Sequence, residues 1–221
     1  MIEETNAVVN KEREARILDA ARELILRYGF DKTTVSDIAR KAGVSKGAIY
    51  LHYDSKEDLF AALIMRDVRQ YAEVTKERLE ADPEEWSFVG MYRIALTILA
   101  EQPFMQALAR NDHQVFGNFL LRRDIYQQLQ NMSQRPLLLR KMQEVGAVRD
   151  DLNPEIVSYM MEFMGYGMWS IQDLIPPDQA PPIDDVIMLF ADMLDRWLTP
   201  EGRGDKEAAK RVVMDMILEI L

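Results

Sequence analysis

The chain of 221 residues has no cysteine and only two histidines, His52 and His113. Without cysteine there are no disulfides, no thiolate metal ligands and no cysteine nucleophiles, which fits a reducing compartment. Two histidines are too few for a site built from three histidine ligands, so the sequence predicts no metal site. We also expect no bound cofactor, since no cofactor-binding motif is present.

Long apolar runs are missing as well. No run approaches the roughly 18 residues needed to cross a bilayer, and the first residues, Met1 to Thr5, are polar and acidic rather than those of a signal peptide. We therefore expect a cytoplasmic protein with no membrane partner. Glycine-rich phosphate loops and pairs of a nucleophile and a base are absent too, so the sequence predicts that the protein is not an enzyme.

The net charge of −10 argues at first against a nucleic-acid partner. Its distribution is uneven, however. Residues 10–56 hold ten Lys/Arg and seven Asp/Glu, a balance of +3, whereas residues 57–221 hold 17 basic and 28 acidic residues, a balance of −11. This asymmetry fits a phosphate-facing head on an acidic body.

Nearly all of the sequence reads as helix, and hydrophobic residues, 48% of the chain, suffice for a full core. The predicted fold class is all-α. Helices are predicted over residues 11–28, 35–42, 46–53, 56–79, 83–101, 103–111, 114–130, 133–145, 154–174, 183–198 and 205–221. Gly29 follows the first of them and is predicted to form its left-handed cap. A stiff loop with four prolines is expected over residues 175–182 and a hinge over residues 202–204.

Residues 33–59 carry the most informative pattern, two short helices joined by a glycine turn. Thr34 and Asp37 have the spacing of a capping box, and Ser45 is positioned to cap the next helix. Gly43 can adopt the positive φ that a tight turn between helices requires. The sequence therefore predicts a helix-turn-helix motif over residues 34–53, which can place its second helix in a DNA major groove.

The second helix of this motif presents residues suited to DNA. Lys46 adds positive charge beside a helix N-terminus, and Gly47 and Ala48 are small enough to let the backbone approach bases. The polar tips of Tyr50, His52 and Tyr53 lie at the far end, and Lys56 is available for another phosphate.

At these residues the sequence resembles the DNA-binding domain of the TetR family of bacterial repressors, over residues 11 to about 65. The matching features are Arg27-Tyr28-Gly29-Phe30, Thr33-Thr34-Val35, Ile38-Ala39, Ala42-Gly43-Val44-Ser45, Gly47, Tyr50, Tyr53 and Ser55-Lys56-Glu57-Asp58-Leu59. Tyr53 stands where the family usually has Phe. The resemblance implies that Thr34, Ser45, Tyr50 and Lys56 mostly hold phosphates. It also implies that Lys46, Gly47, Ala48 and His52 lie nearest base edges.

The resemblance further implies an N-terminal three-helix domain and a larger helical C-terminal domain that dimerises and holds a small ligand. The predicted boundaries are a tail at 1–10, the DNA-binding domain at 11–56, a linking helix at 57–79 and the ligand-binding and dimerisation domain at 80–221. Dimerisation is expected through the helices at 154–174 and 183–198. Its candidate residues are Met160, Met164, Gly167, Ile187, Phe190, Leu194 and Trp197. The alternative is that these two helices belong to the core of a single subunit.

A ligand pocket is expected where methionines and aromatics are dense, because methionine adapts its shape to apolar ligands. Its candidate residues are Met91, Phe104, Met105, Phe116, Phe119, Met142, Met161, Glu162, Tyr166 and Trp169. The alternative for each is core filling, and for Glu162 it is an exposed or ion-paired position.

The predicted function is a homodimeric, DNA-binding transcriptional regulator. We expect a repressor released from a palindromic operator on double-stranded DNA by a small apolar or amphipathic effector. A helical protein-binding adaptor, a regulator without a small-molecule ligand, and an activator remain open alternatives.

Overall fold

The computed structural model describes residues 2–122, 125, 135–176, 178–202 and 204–221. These residues form helices and connecting turns, without a strand among them, so the predicted all-α class is confirmed. Several predicted positions lie outside the described residues, namely 123, 124 and 126–130 of the predicted helix 114–130, the first residues of the predicted helix 133–145, Pro177 of the loop and Arg203 of the hinge. The described chain forms two compact units.

The first unit comprises Met1–Val68 and Asn111–Gln128. It contains α1 (Ile2–Tyr28), α2 (Val35–Ala42), α3 (Lys46–Tyr50), the first half of α4 (Lys56–Ala81), α7 (His113–Phe116) and a 3-10 turn, Phe119–Leu121. Helix α1 begins nine residues before its predicted start, since residues 2–10 contain no proline or glycine to prevent helix formation.

An aromatic cluster forms the centre of the first unit. The ring of Phe60 lies 4.9 Å from that of Phe30, 4.6 Å from that of Phe119 and 5.7 Å from that of Phe116, measured between centroids. Aromatic pairs at these separations contribute about 1 kcal/mol each beyond their buried area. A segment distant in sequence, residues 116–119, therefore supplies half of this cluster.

Glycine at position 29 joins α1 to this segment. Gly29 follows the helix with φ +83° and its amide donates to Ile25 O at 2.8 Å, as predicted for a left-handed cap. A Cβ at this position would lie 2.5 Å from the backbone oxygen of Gln114. The glycine is thus needed both for its backbone conformation and for the close approach of α7.

A buried ion pair network joins α1 to α4. Asp67 is buried and forms ion pairs with Arg66 at 2.8 Å and with Arg22 at 3.3 Å. Arg66 forms a further ion pair with Asp19 at 2.9 Å. Removing one partner of such a pair leaves a buried charge uncompensated, so the network fixes which faces of the two helices meet.

The second unit comprises Arg69–Arg110 and Leu129–Leu221. It contains the rest of α4, a 3-10 turn at Pro83–Glu85, α5 (Phe88–Glu101), α6 (Pro103–Ala109), α8 (Arg135–Glu144), α9 (Pro154–Ser170), a 3-10 turn at Ile171–Asp173, α10 (Ile183–Leu198) and α11 (Lys206–Ile220). Helix α5 packs on α10 and α11, and α8 packs on α9 and α11. Fully buried side chains at the centre include Leu79, Ile98, Met142, Met161, Leu194 and Val213.

Local signals set the helix ends of the second unit. Ser87 accepts from the amide of Gly90 at 2.9 Å and starts α5, so the predicted helix 83–101 is divided into a 3-10 turn and α5. Asn153 caps α9 ahead of Pro154, and Asp205 caps α11. Two half-buried tyrosines then connect helices, as Tyr71 donates to Ala95 O at 2.8 Å and Tyr92 to Met161 O at 3.3 Å. Burial raises the pKa of both phenols.

Candidate nucleic-acid interface

The start of α2 is a reciprocal cap. The Thr34 hydroxyl accepts from the amide of Asp37 at 3.2 Å and donates to the Asp37 carboxylate at 2.6 Å. The hydroxyl of Thr34, followed by the neighbouring Arg40 at 2.5 Å, lowers the pKa of Asp37 below its ordinary value. The predicted capping box is confirmed. The Thr34 side chain is exposed at the helix start, where free amides favour a phosphate.

The turn between α2 and α3 has the predicted geometry. Gly43 adopts φ +67°, and the amide of Val44 donates to Ala39 O at 3.0 Å. Ser45 caps α3 by accepting from the amide of Ala48 at 3.1 Å. Ile49 is buried, as are Ile38 and Ala39 on α2. Ile49 is therefore the buried residue through which α3 packs on α2, and the other side chains of α3 are at least partly exposed.

The outward surface of α3 is small and polar at its start. Lys46 and Gly47 are exposed, Ala48 and His52 are half-buried, and Tyr50 is 52% exposed. The nearest atom to a Cβ built on Gly47 would be Ser45 Oγ at 3.8 Å, an ordinary contact. No described part of the chain therefore requires glycine at position 47, which points to an external surface.

Two predicted DNA-binding residues have structural roles in this arrangement. Tyr53 is 7% exposed and donates its hydroxyl to Glu14 at 3.1 Å, so it belongs to the core between α1 and α3. Burial and the Glu14 carboxylate raise the pKa of Tyr53. Lys56 donates to Phe30 O at 2.9 Å and Thr33 O at 3.2 Å and lies 4.0 Å from the Phe30 ring centroid. A core position for Tyr53 was an alternative that the sequence left open, whereas the contacts of Lys56 could not be read from it, because their partners are 23 and 26 residues away.

Leu51 was noted in the sequence only as one of a variable pair with His52 that bears on which bases are read, and it was not among the candidate DNA-binding residues. It follows α3 directly and is 82% exposed, beside Tyr50 and His52. A large apolar side chain so exposed at the end of a reading helix is suited to contact a thymine methyl or a sugar. Its position directly after the second helix of the motif could have identified it, because an apolar side chain at that position is not covered by the core.

Comparison with known proteins identifies this motif. Residues 17–63 match the model of "Bacterial regulatory proteins, tetR family". Residues 17–63 therefore form a DNA-binding domain of the TetR family of regulators. It is 26% identical over 167 residues to the transcriptional regulator UidR of Escherichia coli K12, covering 69% of this chain and 78% of that protein. Regulators of this family are DNA-binding proteins rather than enzymes, as the sequence predicted.

Solved structures share the fold. NalD, the secondary repressor of the MexAB-OprM multidrug efflux pump in Pseudomonas aeruginosa, is 23% identical with a TM-score of 0.62, covering 86% of this chain and 98% of NalD. SmeT in complex with triclosan is 20% identical with a TM-score of 0.61, covering 88% of this chain and 95% of SmeT. The predicted architecture, an N-terminal helix-turn-helix domain followed by a helical C-terminal domain, is confirmed.

The predicted dimer residues fall into three groups by their exposure. Met160 and Gly167 are exposed on α9, while Met164, Phe190 and Trp197 are half-buried against the core of the second unit. Ile187 and Leu194 are fully buried, so they have no surface left to bury against a partner. The helical phase of α10 was misjudged, because its core face is Ile187, Ala191, Leu194 and Leu198.

The predicted pocket residues are not brought together. Phe116 and Phe119 lie in the aromatic cluster of the first unit, whereas the other eight belong to the second unit. Among those eight, Glu162 and Tyr166 are exposed and the rest are buried, namely Met91, Phe104, Met105, Met142, Met161 and Trp169. These six side chains fill core, which is the alternative that the sequence left open.

Two further properties bear on function. In the residues that the structure describes, every helix is too short or too polar to cross a membrane. Groups of three or more His, Asp or Glu side chains able to hold a metal ion are likewise absent from the described part of the chain.

Proposed function

We propose that this TetR-family regulator is a homodimeric repressor that reads a palindromic operator with α3 and releases it when a small molecule binds the second unit. The observation that carries the DNA-reading part is the outward surface of α3, where Lys46, Gly47 and Leu51 are exposed without a use inside the protein. In this proposal Thr34, Ser45 and Tyr50 hold phosphates, while Lys46, Gly47, Ala48 and His52 approach base edges.

The dimer is supported by an exposed apolar surface on α9 and α10. On α9 the exposed side chains recur at helical spacing and are Ile156, Tyr159, Met160, Phe163 and Tyr166; on α10 they are Met188, Leu189 and Met193. An isolated soluble subunit rarely exposes so many large apolar side chains along two helices. A two-fold dimer buries the same surface twice and carries two reading helices, which suits half-sites about 34 Å apart.

The effector is proposed for the second unit, on the precedent of the SmeT–triclosan complex. Its methionines, among them Met91, Met142 and Met161, give a core that can change shape around an apolar guest. A ligand releases DNA only by the difference between its affinities for the bound and free conformations, and a coupling of about 2 kcal/mol suffices for a roughly thirtyfold change.

The first experiment selects the preferred duplex from a random pool and measures its affinity against salt concentration. A regulator that grips phosphates gives a steep negative slope, about −0.9 per phosphate contacted. We expect Gly47→Ala to weaken binding to the selected duplex, because an added methyl group keeps the backbone away from the bases. Its folding should be unaffected, since the site around Gly47 is open.

Sequence preference is tested separately with Ala48→Ser and His52→Ala, for which we expect altered base preference rather than uniform loss. A flat salt slope on duplex DNA would instead favour a protein-binding adaptor. A screen of small apolar compounds for release of the selected duplex tests the effector. If no compound releases it, the regulator works without a small ligand.

A further inference from the structure

A cavity of about 270 Å³ opens in the second unit, away from all ten residues that the sequence suggested for a pocket. Its walls come from the segment after α4, the turn before α9, the end of α10 and the start of α11. The volume equals roughly nine times the ~30 Å³ that a water molecule takes in the liquid. It therefore accommodates an organic molecule of about ten non-hydrogen atoms.

The inner wall of this cavity is apolar. It is formed by Trp86, Phe88, Val89, Val148 and Ala209, all of them buried within the unit. Such a wall offers an aromatic or aliphatic body a dry surface, worth about 25 cal/mol per Å² of apolar area removed from water. The cavity thus combines apolar side chains with polar and charged ones, as small-molecule sites do.

Charged side chains at the mouth decide which ligand fits. Lys210 is half-buried, with its ammonium 5.0 Å from the centroid of the Trp86 ring, and no carboxylate among the described residues forms an ion pair with it. The lining also contains a second lysine, Lys206, and two carboxylates, Asp195 and Glu207. Asp195 keeps its charge and accepts from the Thr199 hydroxyl at 2.7 Å, whereas Glu207 is exposed, where water screens its charge. Lys210 is the lining charge that the structure places against the ring of Trp86.

We propose that this cavity binds a small carboxylate with an apolar body, whose carboxylate accepts from Lys210 while its body packs on Trp86 and Phe88. The proposal concerns binding alone and goes beyond the release of DNA described above. A charged acceptor makes the stronger class of hydrogen bond with an ammonium group, more so where water is partly excluded.

The test titrates the full chain with three probes that share one body, namely 3-phenylpropanoate, 3-phenylpropan-1-ol and 3-phenylpropylammonium, by calorimetry. We expect the carboxylate to bind at least about tenfold more tightly than the alcohol, as a charge-assisted hydrogen bond implies, and the ammonium to bind most weakly. Lys210→Gln should remove the preference for the carboxylate. Lys76→Gln is the matched control, because Lys76 pairs with Glu80 on α4 outside the cavity.

A second variant fills the cavity without touching a charge. Ala147→Leu adds bulk at a half-buried lining position and should abolish binding of all three probes. Circular dichroism melting establishes whether that variant is folded; if it is not, Lys210→Gln decides alone. The proposal is overturned if the carboxylate does not bind, if the ammonium binds as well as the carboxylate, or if Lys210→Gln binds 3-phenylpropanoate like the unaltered chain.

Discussion

The two surfaces that this regulator leaves uncovered are opposite in character. The surface of α3 is small, polar and basic at its start, with Lys46 and Gly47 exposed. The surface of α9 and α10 is broad and apolar, with Phe163 70% and Leu189 72% exposed. Each matches a different kind of partner, since a polyanion is attracted by charge and close backbone approach whereas a second subunit is held by buried apolar area.

The contrast teaches that the net charge of a chain says little about what it binds. The acidic residues lie mainly outside the first unit, and the DNA-facing surface needs only a local excess of positive charge and a few unhindered amides. Four experiments break or sharpen this division.

The largest effect is expected from the double substitution Phe163→Glu with Leu189→Glu. Two charges placed on the apolar surface must be desolvated for the dimer to form, so we expect monomers in analytical ultracentrifugation. DNA affinity should fall about a hundredfold, because a monomer binds one half-site and loses the gain from binding two half-sites at once. Leu121→Glu is the control, because Leu121 is similarly exposed but lies in the first unit. A dimer that survives the double substitution would remove the proposed interface.

Next in size is the effect of Gly29→Ala, which attacks the support of α3 rather than its surface. Alanine at this position combines φ +83° with a Cβ 2.5 Å from Gln114 O. We expect a loss of about 3 kcal/mol in the first unit, seen as faster hydrogen exchange in α1 to α3. Gly43→Ala is the comparison, since it has φ +67° in open space and should cost only about 1 kcal/mol. If both variants lose the same free energy of unfolding, α7 can move away from position 29 at little cost.

A smaller effect separates two lysines of the first unit. Lys46→Met should lower DNA affinity about tenfold and reduce the salt slope by about 0.9, without changing the free energy of unfolding. Lys56→Met should instead lower that free energy by about 1 kcal/mol, because Phe30 O and Thr33 O lose their donor. If Lys56→Met reduces the salt slope as Lys46→Met does, Lys56 contacts a phosphate after all.

The smallest effect is a pH dependence at the start of α2. The pKa of Asp37 is lowered from its ordinary value of 3.8, first by the Thr34 hydroxyl. A lowered pKa in the folded state stabilises the protein above the unfolded value, and this contribution is lost as the pH falls through the folded value. The difference in melting temperature between the unaltered chain and Asp37→Asn should therefore shrink on acidification below about pH 4. A difference independent of pH would mean that the carboxylate charge is not what stabilises the cap.

Local chemistry explains how much of the head was predictable from sequence. The caps at Thr34 and Ser45 and the positive φ of Gly29 and Gly43 depend on residues within four positions, and all were predicted. The roles of Tyr53 and Lys56 depend on Glu14 and Phe30, which lie far away in sequence. Sequence periodicity cannot predict these two contacts, because they form only when segments distant in sequence pack together.

The body was less predictable for the same reason. Helix α10 was predicted at its observed bounds, but its buried face was misassigned. The presence of an apolar residue on a helix does not determine whether it packs on its own subunit or on a partner. The cavity beside Trp86 joins four segments separated by up to 127 positions, so no local pattern announces it.

The position of Phe116 and Phe119 has a consequence for biosynthesis. The first unit is interrupted by residues 69–110, so a ribosome that has delivered the whole helix-turn-helix motif has not yet delivered half of the aromatic cluster beneath it. The nascent head must wait for about fifty further residues, several seconds at ordinary rates of synthesis, before Phe30 and Phe60 are covered. A DNA-reading fragment ending at residue 68 would expose those rings permanently, which makes it a poor minimal domain and a substrate for chaperones.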